Sequence, residues 1–121
     1  MSYIIIAEDE RDILLLMQRK LEMEGYAPVW STDSGTKALE KALAEPPRLM
    51  IIDVILPDIS GLEVCAQVKK ALGAEAPPII ISSAKGQPLD LDRGTQAGAD
   101  RYLVKPFAPR ELIHHVRDLI G

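Results

Sequence analysis

The sequence has little cysteine, aromatic residue or basic charge. It holds one cysteine, Cys65, one phenylalanine, one tryptophan and two histidines in 121 residues. A lone cysteine excludes an intramolecular disulfide and a multi-cysteine zinc site, and it suits a reducing cytoplasm. No apolar run approaches the roughly 20 residues of a membrane span. Met1-Ser2-Tyr3 leads into Ile4-Ile5-Ile6 without a basic n-region, so neither a signal peptide nor a membrane anchor is expected. Lys and Arg number 14 against 18 Asp and Glu, a net charge of -4 with no basic cluster. That is the wrong sign for gripping phosphate backbones, so direct nucleic-acid binding by this chain is not expected. Internal repeats, low-complexity tracts and linker composition are also missing.

What is present is an ordinary globular balance, 47% apolar and 26% charged. A chain of this length can bury roughly two thirds of its surface around one core, so a single domain over residues 1–121 is expected.

Short apolar runs alternate with segments of helical period. Tyr3 to Ala7 reads as a buried strand. A helix follows from about Arg11, with Ile13, Leu16, Met17, Leu21 and Glu24 recurring at helical spacing as one stripe and Gly25 closing it. Ala27 to Ser31 is a weaker strand, and Gly35 to Glu45 a helix with Ala38, Leu39, Ala42 and Leu43 inward, stopped by Pro46-Pro47. Leu49 to Asp53 is a continuous apolar run ending in an aspartate, as a central parallel strand covered on both faces would be. Gly61 to Leu72 is helical, and Gly73 with Pro77-Pro78 breaks it before the strand Ile79 to Ser82. Leu89 to Ala97 reads as a weakly specified fourth helix, Arg101 to Lys105 as a fifth strand, and Pro109 to Ile120 as a final helix. Strands joined by helical crossovers run parallel, so the fold class is α/β with a doubly wound five-stranded sheet and five helices. Ligands of such sheets bind beyond the carboxyl ends of the strands.

Those ends carry Glu8-Asp9, Asp53, Ser82-Ser83 and Lys105. Carboxylates held close require a cation or a proton between them. With oxygen donors only, the fitting ion is hard, Mg2+ or in its place Mn2+. A carboxylate can also attack a phosphoryl group, given positioning and neutralised equatorial oxygens. Asp53 is the candidate nucleophile, Glu8 and Asp9 the metal holders, Lys105 a second neutralising charge and Ser83 a hydrogen-bond donor.

Glu8-Asp9, Asp53 followed by Pro57 and Gly61, Ser83-Ala84, and Tyr102 to Phe107 together resemble the receiver domains of bacterial two-component response regulators, over Tyr3 to Ile120. The resemblance implies a flavodoxin-like sheet in the order 2-1-3-4-5 and a cis Lys105-Pro106 bond. It implies Asp53 as phosphoacceptor and Mg2+ held by Glu8, Asp9, Asp53 and the Ile55 backbone carbonyl. It also implies a switch of Ser83, Tyr102 and Lys105, acting on the face formed by the fourth helix, fifth strand and fifth helix. The partners implied are a sensor histidine kinase or phosphotransfer protein, a downstream effector domain or partner protein, and a second copy in a phosphorylation-dependent homodimer. Such a chain assists its own phosphorylation and dephosphorylation without being a turnover enzyme. The alternative is an atypical receiver acting as an unphosphorylated interaction module, against which the intact acids and Lys105 count.

Taken singly, each acid reads as a solvated loop carboxylate or helix cap, Lys105 as an edge-strand charge and Tyr102 as a half-buried strand aromatic. His114-His115 point about 100° apart on a helix; with no ligand partner expected four residues away, they read as a partly solvated face. Cys65, Trp30 and Met17 read as packing. Ala108 stands where the family often has a serine cap, and Arg101 where one branch has an acid, which leaves a dimer pair between Arg93 and Glu111 as the residual expectation. Ile55, two residues after the acceptor, cannot orient a hydrolytic water, and Lys85 lies two after Ser83; slow self-hydrolysis of a phosphorylated form follows.

Overall fold

Alternation along the strands divides the core into two layers. Ile5, Ala7, Met50, Ile52, Ile79 and Ile81 point to one face of the sheet, where Ala38, Ala42, Val64, Cys65 and Val68 cover them. Ile4, Ile6, Leu49, Ile51, Ile80 and Leu103 point to the other, against Met17, Leu21, Leu112, Ile113 and Val116. Period-two side chains with both faces apolar require helices on both sides.

The computed structural model describes residues 2–84 and 98–121. Strands β1 (Ile4–Ala7), β2 (Val29–Thr32), β3 (Leu49–Asp53), β4 (Ile79–Ala84) and β5 (Arg101–Lys105) form one sheet in the order β2-β1-β3-β4-β5. Every neighbouring pair is parallel. Helices α1 (Arg11–Met23), α2 (Gly35–Ala44), α3 (Gly61–Leu72) and α4 (Pro109–Ile120) are the four among the described residues, with a 3-10 turn at Gly73–Glu75. The helix expected over Leu89 to Ala97 lies outside the described residues. No helix among the described residues is long and apolar enough to cross a membrane.

Local chemistry explains most boundaries. Ser34 caps α2 by accepting from the Lys37 amide at 3.1 Å, and Ser60 caps α3 by accepting from the Leu62 amide at 3.1 Å. Gly25, at φ +89°, turns the chain after α1, and the Tyr26 amide returns to the Leu21 carbonyl at 2.9 Å. Ala108 has no side chain to cap α4; the Glu111 carboxylate accepts from the Ala108 amide at 3.1 Å instead.

Three expectations need correction. Leu16 is 49% exposed, and Leu43 is 42% exposed. In α1 the buried stripe runs through Met17 and Leu21 with Leu14 packed beside them, while in α2 Leu43 lies at the margin of a groove against α3. A run such as Leu14-Leu15-Leu16 offers apolar residues on three sides of a helix, so its pattern does not fix the inward one. Strand β2 starts at Val29, two residues later than expected. Pro28 has no amide and contributes its carbonyl alone, to the Ile4 amide at 3.1 Å.

The order of the strands reverses at β1, so the carboxyl ends of β1 and β3 lie side by side at the switch point. Their register, Ala7 opposite Ile52 with Asp53 opposite Ser82, brings Glu8 and Asp53 to one rim.

Candidate functional site at the carboxyl rim of the sheet

Strands β1, β3 and β5 each contribute one residue where the ladder ends. Glu8 leaves β1 with its amide bonded to the Thr32 carbonyl at 3.0 Å, and its carboxylate is wholly buried. Asp53 ends β3 and is 5% exposed; Lys105 ends β5 and is 7% exposed. The three meet: the Lys105 ammonium donates to Asp53 Oδ2 at 2.7 Å and forms an ion pair with Glu8 Oε1 at 2.7 Å. Glu8 Oε2 accepts from the Glu10 amide at 3.1 Å, and Asp53 Oδ1 from the Ile55 amide at 3.2 Å. Asp9 is exposed, and carboxylate oxygens of Glu8, Asp9 and Asp53 lie within 4.8 Å of one another. A cavity of about 120 Å³ opens between Asp9, Glu10, Asp53, Ile55, Ala84 and Lys105.

Burial in this negative rim pushes the Glu8 carboxyl up to about 7, Lys105 and the Glu10 amide pulling it back and the Asp53 charge adding to the rise. Burial draws the Lys105 ammonium down, but its hydrogen bond to Asp53 and the charges of Glu8 and Asp53 outweigh that, holding it above the ordinary lysine value. Glu8 and Asp53 share one buried ammonium here, a third carboxylate, Glu10, stands 3.9 Å from it, and Asp9 adds a fourth acid to the rim. The donors are all oxygen and the surplus charge is negative, a set that fits a hard divalent cation.

The remaining expected residues divide. Ser83 is buried at the end of β4 beside Val104, one residue past the Asp53 register, and Ser82 is buried with no hydrogen-bond partner for its hydroxyl among the described residues. The half-buried Tyr102 packs on the α2–α3 side of the sheet, and its hydroxyl is buried without a partner among the described residues. The Lys105-Pro106 bond is cis. Cys65, Met17 and Trp30 take packing positions as expected. The histidine expectation needs correction: His114 does have a carboxylate four residues on, Asp118, with Nε2 to Oδ2 at 3.4 Å. That pair sits on the outside of α4, away from the rim, and Arg101 reaches the same carboxylate at 3.7 Å. Glu111, expected to pair across a dimer, is engaged with its own helix start; Arg93 and Lys85 lie outside the described residues.

Residue-by-residue reading missed two features. One is Glu10, which lines the cavity and was visible only as a third acid in the Glu8-Asp9-Glu10 run. The other is Gly61, whose amide bonds to the Val54 carbonyl at 2.8 Å and where an added Cβ would fall on the Asp53 carbonyl oxygen. In the sequence, its place eight residues after Asp53 belongs to the motif but carries no sign of this steric reason.

Residues 4–117 match the family model of the response regulator receiver domain. The chain belongs to this family. PhoP, the alkaline phosphatase synthesis transcriptional regulatory protein of Bacillus subtilis, is 38% identical over 117 residues, covering 97% of this chain and 48% of that protein. The receiver chain thus spans about half the length of the curated relatives it matches. The chemotaxis response regulator CheY4 of Vibrio cholerae superposes with a TM-score of 0.88 at 27% identity, over 99% of each chain. A BeF3-activated DrrB receiver domain superposes with a TM-score of 0.85 at 29% identity, over 99% of this chain and 98% of that one.

Proposed function

We propose that residues 1–121 form one receiver domain in which Asp53 accepts a phosphoryl group from the phosphohistidine of a sensor histidine kinase or phosphotransfer protein. An Asp53 oxygen attacks phosphorus, the P–N bond breaks, its electron pair returns to the imidazole, and an aspartyl phosphate remains. The observation that carries this reading is Asp53 itself, a nearly buried carboxylate that lines the small cavity and is held at 2.7 Å by a buried ammonium.

Glu8, Asp9, Asp53 and the Ile55 carbonyl would hold Mg2+ or Mn2+, which when bound neutralises equatorial phosphoryl oxygens. Lys105 keeps a positive charge on the Asp53 side, against the charge that builds up during transfer. Ser83, at the end of β4, donates its hydroxyl to the transferred group, and Tyr102 turns into the space that this movement vacates. The face that includes β5 and α4 then changes shape by a shift between two packings. It works on an effector domain, a partner protein or a second copy in a phosphorylation-dependent homodimer. The chain assists its own phosphorylation and dephosphorylation and is not a turnover enzyme. It acts in the cytoplasm without binding nucleic acid itself. A relative activated by BeF3 supports the reading, since that group imitates a tetrahedral phosphoryl on a carboxylate.

The test is intact-mass and peptide mapping after treatment with acetyl phosphate and Mg2+. One phosphoryl group is expected, on Asp53, and none without the metal. Equal labelling of an Asp53→Asn variant at that site would leave the unphosphorylated interaction module as the better account.

A further inference from the structure

The segment between Asp53 and α3 is held at both ends. The Val54 amide bonds to the Ser82 carbonyl at 2.9 Å, and the Gly61 amide to the Val54 carbonyl at 2.8 Å. Its middle is held by Asp58, an exposed carboxylate outside the cavity. Asp58 accepts from the Ser34 hydroxyl at 2.6 Å, the Gly35 amide at 2.8 Å and the Thr36 amide at 2.9 Å. These donors are the cap and first turn of α2, where free amides and the helix dipole favour an anion. The Ser34 bond above all, with the two amides, holds the Asp58 carboxyl well below the usual carboxylate range.

The contact is also close-packed. An added Cβ at Gly35 would stand 2.8 Å from Ile59 Cγ1 and 2.9 Å from the Ile59 carbonyl oxygen. Between Ile55 and Ser60, Asp58 makes the hydrogen bonds that reach another element among the described residues. Three residues before it, the Ile55 amide bonds to Asp53 Oδ1 at 3.2 Å. The placement of that loop therefore sets both the Ile55 carbonyl and one Asp53 oxygen.

We propose that Asp58 is a positioning residue for the cation site: by tying the loop to the start of α2 it holds the Ile55 carbonyl and the Asp53 carboxylate in binding geometry. The inference rests on the metal site assigned under the proposed function. Groups that orient metal ligands change affinity without touching the ion, by roughly tenfold or more when removed.

The experiment is calorimetric titration of the unphosphorylated chain with Mg2+ alone, using the parent, Asp58→Ala, Asp58→Asn and a Val68→Ala core variant. The parent binds, and Asp58→Ala weakens binding roughly tenfold, with Asp58→Asn between them because one amide oxygen still accepts. Val68→Ala, which loosens the core under α3 and removes none of the Asp58 hydrogen bonds, binds as the parent does. In metal-free protein the Ile55 amide exchanges faster in both Asp58 variants. Where Asp58→Ala is too unstable to titrate, Asp58→Asn carries the comparison. Parent-like affinity in the Asp58 variants, or equal weakening in Val68→Ala, overturns the positioning role. A parent that takes up no Mg2+ instead removes the cation site, and the positioning role goes with it.

Discussion

The Lys105 ammonium donates a 2.7 Å hydrogen bond to Asp53 across 52 positions of sequence. Both groups are nearly buried, and the ammonium stands at the same distance, 2.7 Å, from Glu8. Removing the cation leaves two buried carboxylates facing each other, and breaking a buried pair from one side is strongly destabilising. Lys105→Met is expected to lower metal-free stability by about 3 kcal/mol at neutral pH, with Mg2+ restoring part of it. Urea denaturation with EDTA and then with Mg2+ measures both; a change below about 1 kcal/mol would show that the ammonium is dispensable to the metal-free fold.

Asp58 gives the pH dependence its sign. Its carboxyl is depressed in the folded state, so its contribution is present above the unfolded carboxylate value and is lost as pH falls through the folded one. The difference in thermal midpoint between the parent and Asp58→Asn is expected to be widest near neutrality and to close as pH drops below about 4. Parallel midpoint curves across that range would refute the assignment.

Ile55 is 53% exposed at the mouth of the cavity and brings no hydrogen-bonding side chain to it. A phosphoryl group on Asp53 therefore lacks a side chain at this position to orient an attacking water. The phosphorylated parent is expected to decay slowly, and Ile55→Asn to shorten its half-life by roughly tenfold. Intact mass followed after removal of the phosphodonor reads this, and decay of the parent within seconds would end the idea.

At the start of α4, Glu111 already supplies the returning half of a capping box, and Ala108 lacks the other half. Ala108→Ser is expected to raise stability by about 1 kcal/mol. An unchanged denaturation midpoint would mean that the hydroxyl does not reach the Glu111 amide.

The sheet was legible because β1, the body of β3 and the first half of β4 are apolar runs that fit burial on both faces, and Glu8 and Asp53 stood out because each closes such a run. Strand order was reached through family resemblance and not through pattern, since period and length do not say which strand lies beside which. The facing of Leu16 and Leu43 was not legible, because it depends on how each helix is rotated against the twisted sheet. The tie from Asp58 to Ser34, Gly35 and Thr36 was equally hidden. It joins residues 22 to 24 positions apart that meet only when α2 and the loop after β3 are both in place.

The steric fit at Gly61 makes α3 something more than a wall of the core. With its first residue pressed on the Asp53 carbonyl, the helix cannot slide toward the sheet or roll at its start without displacing the Asp53 backbone. A protein that grips the outer side of α3 would therefore have a mechanical handle on the phosphoryl transfer proposed for Asp53, at a distance from the rim itself.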